Sequence, residues 1–190
     1  KKLELRSKVS SFAAQYLQVP LIYVNQIGAN DNLIFDGNSF ILDKNGSKIK
    51  QLKSFSEDLS SWEIEQTKPE KNEFKNSEMS SIFDALVLGV KDYAKKCGFK
   101  TALVGLSGGI DSALVSAIAT AALGSDNVYC VSMPSKWSSS HSKSDAKDLA
   151  RRLKISFKSI PIENLMTSFE ESFIKTISFE MAEITNQNIQ

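Results

Sequence analysis

The sequence predicts an α/β protein made of two unlike parts. The first third combines one helix with short apolar strands separated by turn dipeptides, whereas from residue 78 onward strands alternate with helices. The first pattern is typical of antiparallel hairpins and the second of a parallel sheet. Residues 67–77 separate the two parts, because they carry five charges and a proline and almost nothing to bury. We therefore predict domains at residues 1–66 and 78–190, joined by a linker at 67–77.

The first part is predicted to begin with a helix over residues 3–17 and an apolar strand over residues 19–26. Asp36-Gly37 and Asn45-Gly46 are dipeptides typical of two-residue hairpin turns. Because apolar segments flank both dipeptides, each predicts a hairpin. The flanking segments are residues 33–35, 39–42 and 48–52.

The second part begins with a helix that starts after Ser77, an N-cap residue, and stops at Gly98. Apolar residues recur along it at helical spacing, and we expect this stripe to pack in the core. The stripe consists of Ile82, Phe83, Leu86, Val87, Val90 and Tyr93.

Strands and helices then alternate, which predicts a parallel sheet with right-handed crossovers. In such sheets the ligand crevice lies beyond the carboxyl ends of the strands. The loop after residue 104 and Met133-Pro134 both lie at those ends, so they can contact one ligand. A small, polar stretch at 138–142 is suited to a mobile loop. The predicted strands are residues 101–104, 127–134 and 155–162, and the predicted helices are residues 113–123 and 144–153.

The loop between residues 105 and 112 has the chemistry of a phosphate site that includes a cation. Gly108 and Gly109 can turn backbone N–H groups towards a ligand, and the helix that follows presents its unpaired N–H groups to the same point. Ser107 and Ser112 add hydroxyl donors. Asp111 does not suit an anion site unless a cation bridges it, so pyrophosphate with Mg²⁺ fits. The loop lacks the Gly-Lys-Ser/Thr of a Walker A site.

The sequence Ser107-Gly-Gly-Ile-Asp-Ser112 resembles the loop of the PP-loop ATP pyrophosphatases, which cleave ATP between the α and β phosphates. Together with Met133-Pro-Ser135, Ser144-Asp-Ala146 and Ile160-Pro-Ile162, it is similar to the NAD synthetases. The resemblance implies an adenine nucleotide α hydrolase-like domain that binds ATP and Mg²⁺, with Asp111 as the metal ligand. The implied ATP-binding residues are Gly105, Leu106, Ser107, Gly108, Gly109, Ile110, Asp111, Ser112 and Met133.

Residues 23–28 and 35–42 resemble the C-terminal part of a nitrilase-like glutaminase, an α-β-β-α sandwich. In that family a Glu-Lys-Cys triad hydrolyses glutamine and releases ammonia. The two resemblances occur in the order found in glutamine-dependent NAD synthetases. They imply an ATP-dependent amidation of deamido-NAD to NAD through an adenylated intermediate, with ammonia supplied by glutamine.

Two substrate contacts are implied by the same resemblance. The tail at 182–190 resembles the Glu-Glu-Asn-x-Gln segment of the family, although Asn186 and Gln187 replace the two acids, and it places Asn188 at the dinucleotide. Lys2 matches a glutamine-contacting lysine from its spacing to Arg6.

The glutaminase part carries no catalytic nucleophile. No cysteine precedes Cys97, and neither Cys97 nor Cys130 lies near the nitrilase-like segment, so we interpret both as buried small hydrophobic residues. The chain starts without methionine and stops inside a predicted helix. We therefore expect an inactive excerpt of a longer protein, with the glutaminase triad upstream.

Composition limits the other classes of function. A net charge of +1 provides no field that would attract nucleic acid or a membrane surface. We expect a cytoplasmic enzyme that is a homo-oligomer at full length. His141, the one histidine, is expected to face solvent, and Lys136 and Lys143 are better candidates for phosphate contact.

Two alternatives stay open at this stage. One is another PP-loop amidotransferase similar to the GMP synthetases, although those join the loop to a different glutaminase. The other is a nucleotide-binding or scaffolding fragment without turnover.

Overall fold

The computed structural model of the chain describes residues 2–64 and 77–177. Contacts divide the chain into two compact units, Lys1–Tyr93 and Ala94–Gln190. This division lies within a helix, whereas the predicted domain boundary lies at residue 78. The linker at 67–77 falls, apart from Ser77, outside the described residues. The domain boundaries therefore stay a prediction.

The first unit packs a helix, α1 (Lys2–Leu17), on a small antiparallel sheet. The helix contributes Ala14 to a buried cluster with Phe40 and Leu42, and this small residue lets the helix approach the strands closely. The sheet has the order β1-β4-β5, and β2 and β3 form a separate two-stranded hairpin. The strands are β1 (Leu21–Tyr23), β2 (Ile27–Asn30), β3 (Leu33–Asp36), β4 (Phe40–Leu42) and β5 (Lys48–Gln51).

One of the two predicted hairpins is confirmed and the other is wrong. Strands β4 and β5 pair through the turn that contains Asn45-Gly46, as predicted. Asp36-Gly37 does not close a hairpin, because β3 pairs with β2 and β4 pairs with β1. The β2–β3 turn contains Asp31, which adopts a positive φ of 52° that aspartate tolerates better than most residues.

The polar side chains around Asp36 explain why the chain does not fold back there. The Asp36 carboxylate accepts hydrogen bonds from Arg6 at 3.2 Å and from the amides of Asn25 and Asn38, each at 2.9 Å. Asn38 is itself buried and has a φ of 54°. The carboxylate therefore fixes the point at which the chain passes from one sheet to the other.

Helix α2 (Glu78–Cys97) begins and ends as predicted, but its apolar stripe does not pack as predicted. Ser77 caps it by accepting a hydrogen bond from Ser80, and Gly98 ends it with a φ of 74°. Within the described part of the chain, the stripe is largely exposed, with Tyr93 at 64%. Within the first unit a polar contact joins the helix to β2, because the Ala29 amide donates to the Asp92 carboxylate at 2.7 Å.

The second unit confirms the predicted parallel sheet, in the order β6-β7-β8. Two helices, α3 and α4, pack against its core, where Ala146 and Ala150 of α4 are fully buried beside Val128 and Cys130 of β7. The elements are β6 (Ala102–Gly105), α3 (Ile110–Leu123), a short 3₁₀ turn (Ser125–Asn127), β7 (Val128–Ser132), α4 (Ser140–Leu153), β8 (Ser156–Ser159) and α5 (Glu163–Ile177).

Three smaller expectations for this unit have different outcomes. Helix α4 starts at Ser140 because Ser139 caps it, so three of the five residues predicted as a mobile loop are helical. Cys130 is buried as expected, whereas Cys97 is exposed, contrary to expectation.

Among the described residues, no helix combines the length and the apolar content that crossing a bilayer requires.

The first prediction concerns Gly46, whose turn lies against α1. At this glycine φ is 77°, and an added Cβ would lie 2.3 Å from the hydroxyl of Ser11 and 2.8 Å from its carbonyl oxygen. Gly98 has a similar φ of 74° but open space around it, so Gly98→Ala is a matched control for backbone strain alone. We expect Gly98→Ala to lower the free energy of unfolding by about 1 kcal/mol and Gly46→Ala by about 2 kcal/mol or more. Urea denaturation measures both, and equal losses would contradict the close packing.

Candidate functional site

The carboxyl ends of β6 and β7 bring the glycine loop beside Met133-Pro134. The ladder between the two strands continues past β6, because the amide of Leu106 donates to the carbonyl of Val131 at 2.9 Å. Leu106 is also buried in the core. The loop that follows therefore starts from a fixed point at the edge of the sheet.

The hydroxyl groups of Ser107 and Ser112 brace the loop itself. Ser107 Oγ accepts from the amide of Gly109 at 3.2 Å, and Ser112 Oγ accepts from the amide of Ser107 at 3.2 Å and donates to the carbonyl of Gly109 at 3.0 Å. The two hydroxyls lie 3.1 Å apart. Serine at both positions thus fixes the curvature of the loop, in addition to the donor role that the sequence suggests.

Helix α3 begins directly after this loop, and no side chain caps its N-terminus. Gly109 is the N-cap residue and no side chain caps the helix, so the N–H groups of its first turn have no intrahelical acceptor. The helix dipole adds partial positive charge at the same place. This end of α3 is therefore suited to bind an anion such as a phosphate.

Asp111 is exposed in the first turn of α3. A carboxylate there stabilises the helix terminus whether or not a metal is present. No group of three or more His, Cys, Asp or Glu side chains within the described ranges could hold a metal ion. Mg²⁺ is commonly held by one or two carboxylates, substrate phosphates and water, so a single aspartate beside a phosphate site fits that ion.

Gly108 lies against the backbone of the first turn of α4. Its φ is 89°, and an added Cβ would lie 2.2 Å from the carbonyl oxygen of Ser142. Glycine is needed here both for the conformation and for the close approach of α4. The contact with Ser142 has no signal in the sequence, because no local pattern indicates which helix packs on the loop.

A cavity of about 170 Å³ lies between these elements. It is smaller than the roughly 300–1,000 Å³ of most small-molecule sites, so a ligand the size of a nucleotide would extend beyond it. Of the predicted residues, Gly105, Leu106, Ser107 and Met133 line it, while the remaining five form the adjoining turn and start of α3. The other lining residues are Val131, Ser132, Pro134, Ser138, Ser142 and Lys143.

The remaining candidate residues from the sequence have different outcomes. Asn188 is outside the described residues, and so is the side chain of Lys2. His141 is exposed, as expected. Lys143 lines the cavity, whereas Lys136 does not.

Away from the cavity mouth, α4 carries one perturbed carboxyl group. The pKa of Asp148 is lowered because Arg151 and then Arg152 donate hydrogen bonds to it. Both arginines lie within four positions along the same helix, so the ion pairs stabilise the exposed face of α4.

Comparisons with known proteins agree on one family. The profile of the NAD synthase family matches residues 82–190. The glutamine-dependent NAD(+) synthetase of Synechocystis is 41% identical over 98% of the chain, but the chain spans only about a third (34%) of that relative.

Solved structures give the same result. The glutamine-dependent NAD+ synthetase from Acinetobacter baumannii, in complex with ADP, matches 99% of the chain and 36% of its own length, with a TM-score of 0.89 and 35% identity. The NH3-dependent NAD synthetase from Campylobacter jejuni matches 60% of the chain and 47% of its own length, with a TM-score of 0.51 and 27% identity.

The second prediction concerns the contact between the loop and α4. Gly108→Ala should separate the loop from the first turn of α4 and accelerate amide hydrogen exchange in residues 140–145. Gly109→Ala is the matched control, because its φ is negative and an added Cβ would lie an ordinary 3.4 Å from Ser107 Oγ. Exchange measured by mass spectrometry should change in the first variant and remain near that of the unsubstituted protein in the second. Equal exchange in both variants would contradict the contact.

Proposed function

The chain belongs to the NAD synthase family, and we propose that it carries the ATP site of a glutamine-dependent NAD synthetase. The observation that carries the proposal is the uncapped N-terminus of α3, set by a braced glycine loop beside the end of β7. A helix N-terminus at the carboxyl edge of a parallel sheet is suited to bind phosphate. The Acinetobacter baumannii relative was solved in complex with ADP, which supports an adenine nucleotide as the ligand.

In the proposed reaction, the nicotinate carboxylate of deamido-NAD attacks the α-phosphate of ATP and pyrophosphate leaves. Ammonia then displaces AMP from the adenylate and forms the amide of NAD. The backbone N–H groups of Gly108 and of the first turn of α3, residues 110–112, stabilise the charge that develops on the departing pyrophosphate. Met133 and the cavity at the end of β7 hold the adenine side of the nucleotide.

Asp111 is proposed to hold Mg²⁺ against the phosphates. The ion supplies charge neutralisation for the leaving group when it is bound. The exposed position of the carboxylate in the first turn of α3 places it next to the same N–H groups, so anion and cation sites adjoin.

The remaining assignments rest on the resemblance. Residues 1–66 would complete a nitrilase-like glutaminase whose nucleophile lies outside this chain, residues 67–77 would be a linker, and 78–190 would begin the synthetase domain. Asn188 would contact deamido-NAD and Lys2 glutamine. We propose a cytoplasmic homo-oligomer that binds neither nucleic acid nor membranes.

The third prediction tests Asp111. In the full-length protein, Asp111→Asn should lower the rate of ATP–pyrophosphate exchange by about 100-fold or more, because an amide cannot neutralise a bound cation. Asp126→Asn is the control, since Asp126 is exposed in the short turn after α3. If Asp111→Asn catalyses ATP–pyrophosphate exchange at the unsubstituted rate, Asp111 is not a metal ligand and only stabilises the N-terminus of α3.

The fourth prediction tests the reaction. With ammonia in place of glutamine, the full-length protein should release AMP from ATP when deamido-NAD is added, and not when xanthylate is added. NAD formation is measured in parallel by an enzymatic cycling assay. AMP release with xanthylate alone would favour a GMP-synthetase-like activity, and release with neither would favour a binding fragment without turnover.

A further inference from the structure

The loop between β7 and α4, residues 133–139, connects the nucleotide cavity to a polar contact on α5. Pro134 and Ser138 of this loop line the cavity. The loop is held internally, because Ser135 is buried and its hydroxyl accepts from the amide of Trp137 at 3.2 Å. The Pro134 carbonyl also accepts from the amide of Ile162, just before α5, at 3.1 Å.

Lys136 extends from this loop towards α5 rather than towards the cavity. Its ammonium lies 3.7 Å from Glu170 Oε1 and 5.1 Å from the centre of the Trp137 ring. A carboxylate and an aromatic face both attract a cation, so the two contacts reinforce each other. Lys136 is a candidate for phosphate contact from the sequence, and the structure gives it Glu170 as a partner.

The Glu170 side chain is partly shielded from solvent, so a neighbouring cation stabilises its charge more than it would at a fully exposed position. Its Oε1 atom is buried and has no hydrogen-bond partner among the described residues. A shielded carboxylate oxygen is costly without a neighbouring positive charge. Met166, four residues earlier on the same face of α5, is buried, so the face that carries Glu170 is fixed against the unit.

We infer that Glu170 is a positioning residue for the nucleotide site: it holds Lys136 and thereby keeps Pro134 and Ser138 in place at the cavity. The inference rests on the proposed function, since it names how the loop of that same site is held. When the ion pair is lost, the loop must be ordered by the nucleotide itself, which weakens binding without altering the reacting groups.

The test uses the full-length protein with Glu170→Gln and Lys136→Met, alone and together. Each single variant should raise the KM for ATP about three- to ten-fold while kcat stays within about two-fold. The double variant should be no weaker than either single variant, because both remove the same interaction. Glu171→Gln, an exposed neighbour on α5, is the matched control and should leave both constants unchanged.

Two further measurements separate positioning from simple loss of structure. The exchanged pair Lys136→Glu with Glu170→Lys should recover most of the affinity for ATP, and the melting temperatures of the Gln and Met variants should stay close to the unsubstituted value. Additive losses in the double variant, no recovery in the exchanged pair, or an effect equal to that of Glu171→Gln would each overturn the inference.

Titration calorimetry with ATP distinguishes failure of the inference about Glu170 from failure of the proposed function. If the unsubstituted protein binds ATP but makes no NAD, the proposed reaction is wrong and the shift in ATP affinity still tests the loop. If the unsubstituted protein does not bind ATP, both are overturned.

Discussion

The contact between Gly108 and the first turn of α4 is the constraint on which the candidate site depends. There is no room for a side chain there, since an added Cβ would lie 2.2 Å from the Ser142 carbonyl oxygen. The helix reaches this position because Ala146 and Ala150 are fully buried against β7, where larger residues would hold it away. Small residues in the core of α4 and a glycine in the loop are therefore parts of one arrangement, which sets the width of the cavity.

In the first unit, the chain passes from the β2–β3 hairpin to the sheet of β1, β4 and β5, and one residue fixes this crossing. Asp36 does so by accepting hydrogen bonds from Arg6, Asn25 and Asn38 at one carboxylate. Charge-assisted hydrogen bonds are about twice as strong as neutral ones, so a single aspartate can fix this crossing. That is a structural use of residues which, in the sequence, suggested a tight hairpin.

The features that the sequence predicts well depend on clear local patterns, and those that it misses depend on ambiguous local patterns or on distant partners. The strand–loop–helix of residues 101–123 and the parallel sheet follow from alternating apolar runs, and both are confirmed. The start of α4 was missed because Ser139 to Ser142 can form either a loop or a capped helical turn. The strand β2 and the contact between Gly108 and Ser142 were missed because pairing partners far along the chain leave no local signal.

The charges near the cavity indicate how the site must work if it binds ATP. Among the described residues that line it, Lys143 is the one cationic side chain, and Asp111 lies exposed on the adjoining turn of α3. A triphosphate carries several negative charges, which one lysine and the end of one helix cannot neutralise. Because Lys136 lies against Glu170, it does not supply the missing charge. On the proposed function, a divalent cation at Asp111 would supply part of the balance, which is why the aspartate is the more informative position for mutation.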